Sequence, residues 1–229
     1  AIARPGDVRF TAHLKPIYLN IVHGVGALSE AGYPKGALVL DKEVEIYSPP
    51  RPAKPGEAPA KEEPAIATIL SVQEFWKEEV KYGSGTIPRT WPTKAEALAA
   101  GMTTEYPPWN SGLPMPNVRP ALSLKMLVRE PEGVQDRGHF LLNIGGTWWA
   151  PCTLIADKTA YGEVVDPITR ATYTHGSTGI HSATWALSTR SKLIKSTSNF
   201  TFVPVFRIIG TKTPAEVQQL LDVVEGRRQ

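Results

Sequence analysis

Acidic residues are missing from a long stretch of this chain. Between Pro167 and Ala215 there is no Asp or Glu, whereas Arg170, Arg190, Lys192, Lys195, Arg207 and Lys212 all lie inside it. Within that window nothing offsets the positive charge. Cysteine is almost absent as well: Cys152 stands alone, which excludes an internal disulfide and a cysteine-based zinc site within one chain and fits a reducing compartment. No apolar run is long enough to span a bilayer, and Arg4, Asp7 and Arg9 interrupt any signal-peptide core. The sequence therefore predicts a soluble, cytoplasmic protein with no membrane partner, in host cytoplasm if a bacteriophage encodes it.

Catalytic signatures are equally scarce. The histidines, His13, His23, His139, His175 and His181, lack the close spacing of zinc-binding helices. Gly24-Val25-Gly26 is not followed by the third glycine of a dinucleotide fingerprint, and Gly83-Ser84-Gly85 lacks the Lys-Ser/Thr pair of a phosphate loop. Glu62-Glu63 and Glu78-Glu79 are neighbours in sequence and do not suggest carboxylates converging on a substrate. Cys152 has no local nucleophile signature. These absences predict a protein that is not an enzyme, with no cofactor and no metal site.

What the chain does carry is an uneven charge distribution. Residues 1–118 hold 12 basic and 13 acidic groups, residues 119–212 hold 11 and 6, and residues 213–229 hold 2 and 3. A basic late region on a near-neutral protein marks a local footprint for a polyanion. The same region contains Tyr173, Trp185, Phe200, Phe202 and Phe206 among many Ser and Thr residues, so cations alternate with aromatic faces. Unpaired bases stack on such rings while Lys and Arg neutralise phosphates. Half-buried strands with aromatics inward and basic residues outward produce the same mixture.

Strand signals dominate the organisation. Val8–Leu14, Ile17–Val22 and Ala37–Tyr47 are β-branched or aromatic and partly alternating, and Ala121–Val128 is apolar throughout. His139–Ile144 and Thr147–Leu154 flank Gly145-Gly146, a hairpin turn. Ala183–Ile194 and Phe200–Ile209 flank the polar turn Lys195–Asn199. Three helices are predicted. Ser71 and Glu74 have capping-box spacing before Val72, Phe75, Trp76 and Val80, so one helix should run to Tyr82. Thr93 with Glu96 opens a second before Gly101, and Thr213, Pro214 and Glu216 open a third with Val217, Leu220, Leu221 and Val224 on one face. Proline-rich Ser48–Pro64 should be an exposed excursion, and Tyr106–Pro120 a second long loop. One β-rich domain over residues 1–229 is expected, with 121–229 its most regular, barrel-like part.

Trp148 and Trp149 are adjacent strand residues and must point to opposite faces; Trp148 is expected in the core and Trp149 on the surface. From Ala121 onward, the Gly145-Gly146-Thr147-Trp148-Trp149 hairpin, the Lys158–Tyr161 segment and the later basic strands resemble phage-type single-stranded-DNA-binding proteins of the OB-fold kind. That resemblance implies a curved antiparallel barrel that grips a strand across its face, in the service of DNA replication. The acidic tail common in such proteins is missing, since the chain ends Glu225-Gly226-Arg227-Arg228-Gln229. The predicted phosphate contacts are Lys158, Arg170, Arg190, Lys192, Lys195 and Arg207, and the stacking residues Trp149, Tyr161, Tyr173 and Phe202. The alternative reading is a virion-type assembly protein whose proline-rich arms drive self-association.

Overall fold

A computed structural model describes residues 17–51, 57–58, 60–81, 84–108, 111–134, 138–175, 179–194 and 199–224. In order, they form β1 (Leu19–Ile21), α1 (Ala27–Glu30), β2 (Leu38–Leu40), β3 (Val44–Tyr47), β4 (Ala65–Glu78), β5 (Thr90–Trp91), α2 (Lys94–Ala99), β6 (Val118–Arg129), β7 (Leu142–Ile144) and β8 (Thr147–Asp157). There follow α3 (Lys158–His175), α4 (Gly179–Ser182), β9 (Ala183–Ile194), β10 (Asn199–Thr211) and α5 (Pro214–Val224). The protein is mainly β. The predicted strand Val8–Leu14 lies outside the described residues, as do the turn residues 195–198.

Seven strands form the main sheet in the order β10-β9-β4-β6-β8-β7, with β5 added to β4, and β1-β2-β3 form a small second sheet. Pairing within both sheets is antiparallel. The β7–β8 hairpin turns on Gly145 and Gly146 at φ 60° and 82°, values that a side chain would strain. Proline enters strands only where a neighbour is missing: Pro120 lies beyond the β6–β8 ladder, Pro151 beyond the end of β7, and Pro204 on the edge strand β10.

Both faces of the main sheet are covered. On one, Leu124, Met126, Cys152, Leu154, Trp185 and Phe206 join Leu38, Leu40 and Tyr47 of the small sheet and Val164, Ile168 and Ala171 of α3 in the larger core. On the other, Leu70, Leu127 and Trp149 lie beneath Val217, Leu220, Leu221 and Val224 of α5. The predicted apolar face of that last helix is the one buried, and its capping box is formed, with Thr213 Oγ1 2.8 Å from Glu216 Oε2. The Thr93–Glu96 box likewise opens α2.

Of the predicted helix from Ser71 to Tyr82, the part Ser71–Glu78 is instead the outer half of β4, and Tyr82 lies outside the described residues. This strand pairs with β6 over most of its length and with β9 at its start, so it is central. A bulge at Leu70 shifts the register between Ile69 and Ser71, but from Ser71 to Glu78 the pairing is unbroken, with Val72 and Trp76 on one face and Phe75 on the other. Apolar residues on both faces of this stretch imitate helical spacing. The segment Lys158–His175, by contrast, is an 18-residue helix that sequence reasoning did not find. Gly162 and Pro167 weaken the local signal, while Val164, Ile168 and Ala171 recur at helical intervals and are buried.

The barrel does not close among the described residues, because β8 and β10 are not paired. Between them stands β1, which touches β10 and is bridged to β8 through Tyr18 and Thr153, where the Thr153 N–H donates to the Ile17 carbonyl at 2.8 Å.

Candidate nucleic-acid interface

α3 begins directly after β8, and the reversal is made at Lys158, which adopts φ 51°. The helix then lies beside the β9–β10 hairpin. Thr189 on β9 donates to the carbonyl of Gly36, in the turn that leads into β2. Arg190 and Lys192 point the other way and meet Glu163 of α3, with Lys192 Nζ 2.5 Å from Glu163 Oε1 and Arg190 bonded to Oε2. Lys192 above all, then Arg190, holds the Glu163 carboxyl below its ordinary range. The window that contains no acid is therefore not unopposed: a carboxylate four residues before Pro167 folds back onto two of its cations. A third, Lys212, is turned inward, with Nζ 3.0 Å from the Ala183 carbonyl and 3.1 Å from Thr184 Oγ1, and burial lowers its pKa to about 8.

Between helix and hairpin is a cleft of about 400 Å³ lined by Glu163, Asp166, Arg170, Arg190 and Pro204–Phe206. It brings Arg170 and Arg190 together. Arg170 and Arg207 are exposed and have no ion-pair partner among the described residues. Tyr173, three residues after Arg170 on α3, is 85% exposed. The cleft therefore sets Arg170 and Arg190 beside two carboxylates, Glu163 and Asp166.

The other predicted residues are dispersed. Lys158 pairs with Glu79 at 3.2 Å. Tyr161 is half-buried, and burial with the nearby Glu74 carboxylate pushes its hydroxyl upward. Phe202 packs on Gly36, where an added Cβ would sit 2.6 Å from its ring. Lys195 lies outside the described residues. Trp149 is 9% exposed and covered by α5, so the expectation of a surface ring fails there. The two tryptophans do point to opposite faces, with Trp148 half-buried against the larger core. What the sequence concealed is that the second face has a cover of its own.

Residues missed from sequence lie on the α5-bearing face beyond that helix. Register aligns Ser71, Lys125 and Thr153 in one row, Gln73, Ser123 and Ile155 in the next, and Phe75, Ala121 and Asp157 in a third. Lys77 and Arg119 follow, and Lys77 Nζ is 2.6 Å from Asp157. The strand alternation of 121–128 could have shown Ser123 and Lys125 sharing a face, but reading β4 as a helix hid their neighbours.

Comparison of the chain with protein-family models, curated proteins and solved structures finds no match. Among the described residues, no helix is long and apolar enough to cross a membrane, and no three His, Cys, Asp or Glu residues are placed to hold a metal ion.

Proposed function

We propose that this protein binds single-stranded nucleic acid, DNA in the first instance, by phosphate neutralisation and base stacking with little sequence preference. The observation that carries the reading is the strand order. Taking β4, β6, β8, β9 and β10 as five consecutive barrel strands, the sheet runs fifth, fourth, first, second, third, and α3 joins the third to the fourth. That order matches the connectivity expected of an OB-like Greek-key barrel and supports this reading, since such a fold accommodates single strands on its outer face. Here β1 stands where the third and fifth strands would meet. The rows through Gln73, Phe75, Ser123 and Lys125 supply a polar face with one aromatic, and Arg170, Tyr173 and Arg207 supply exposed cations and a ring.

A fluorescence-anisotropy titration with labelled single- and double-stranded oligonucleotides over a range of salt tests this. Preferential binding of the single strand, with log K falling linearly against log salt, is expected. Failure to bind at low salt, or a stronger grip on duplex, overturns it.

A further inference from the structure

The aromatic–cation mixture sought in the late basic window is assembled more fully elsewhere, in the lobe between β4 and β6. Trp76 and Trp91 face one another across the β4–β5 ladder. The Arg89 guanidinium lies 5.4 Å from the Trp91 ring centre, Lys94 Nζ 5.8 Å from that of Trp76, and the Arg119 guanidinium 5.6 Å from that of Tyr106. Each cation also meets a carboxylate: Arg89 with Glu78 at 2.8 Å, Lys94 with Glu105 at 2.5 Å and Arg119 with Glu79 at 3.6 Å.

These rings do not serve as a core. Among the described residues between Glu79 and Asn117, only Ala97, Thr104 and Pro116 are buried, and Tyr106 is 57% exposed. The Lys94–Glu105 pair is open to water, with Glu105 82% exposed, and such pairs hold weakly against a competing anion. A phosphate offers Lys94 the same charge-assisted contact as Glu105, and the Arg89 side chain, 60% exposed, has donors beyond those used by Glu78.

We infer that this lobe is a second contact site for single-stranded nucleic acid, in which Lys94 and Arg89 receive backbone phosphates and unpaired bases stack on Tyr106 and Trp91. The inference rests on the single-strand reading above. It adds a site remote in sequence from α3, built from residues that precede the late basic region.

The test is anisotropy with fluorescein-labelled oligothymidylate at low salt, using the full chain and its Tyr106→Ala, Tyr106→Phe and Lys94→Glu variants, each first shown by thermal unfolding to keep its fold. Tyr106→Ala should weaken binding by about tenfold and Tyr106→Phe should restore it, because the ring and not the hydroxyl stacks. Lys94→Glu should weaken binding and lower the salt slope by about one. Unchanged affinity in both Tyr106→Ala and Lys94→Glu overturns the lobe site. If those variants bind normally while charge reversal of Arg170 and Arg207 abolishes binding, the single-strand reading stands and the lobe site alone falls. If the unaltered chain binds no oligonucleotide, both fall.

Discussion

The Thr189 hydroxyl donates to the Gly36 carbonyl across 2.5 Å, fastening the β9–β10 hairpin to the turn that leads into β2. Gly36 sits at φ 86°, and the Phe202 ring occupies the space that a Cβ would need. Gly36→Ala should therefore cost about 1–3 kcal/mol, combining backbone strain with displacement of the ring. Urea unfolding of the variant checks this, and an unchanged midpoint would show that the contact is not tight.

Trp149 fills the space between β8 and α5. Trp149→Ala is expected to destabilise the protein by about 3–5 kcal/mol, as for other buried large-to-small changes. Chemical denaturation with circular dichroism reads the loss. A stability close to wild type would mean that α5 collapses onto the vacated space.

Glu163 restrains two cations that the single-strand reading would free for phosphates. Glu163→Gln should raise oligonucleotide affinity by a factor on the order of three to ten and steepen the salt slope. The loss of stability should be only about 0.5–1 kcal/mol, since Arg190 and Lys192 are largely in water. Weaker binding in this variant would place the two cations in a structural role.

His181 and Lys212 make stability depend on pH. Burial, assisted by the Lys212 charge, holds His181 below its ordinary 6.5, against an opposing interaction with the Ile69 backbone. The native state therefore stays neutral at His181 while the unfolded chain takes up a proton. The stability from this group is complete above pH 6.5 and is lost as pH falls below it. Lys212, at about 8 when folded and 10.5 when free, makes stability rise between those values, because the unfolded chain binds the extra proton. Urea midpoints at pH 5.5, 7.5 and 9.5 should increase in that order, and His181→Leu should flatten the acid limb. An equally steep limb in that variant would assign the acid loss to other groups.

The local turns and caps were legible in the sequence because each depends on residues a few positions apart. Gly145-Gly146 permits the positive φ of a tight hairpin, and Thr93 with Glu96 and Thr213 with Glu216 satisfy amide groups at helix starts within one turn. β6, β9 and β10 were also legible, since their apolar, β-branched and aromatic residues suit a pleated surface in any arrangement. Tertiary structure decided the rest. β4 is a strand because β6 and β9 flank it, and Val72 and Trp76 on one face with Phe75 on the other gave its outer half a helical spacing. α3 is a helix despite Gly162 and Pro167 because Val164, Ile168 and Ala171 find a core to enter. Glu163 reaches Arg190 across 27 residues, and α5 returns to cover Trp149. Burial and charge pairing are properties of groups that meet in space, so composition along the chain states which charges and rings exist and folding alone decides which of them reach solvent.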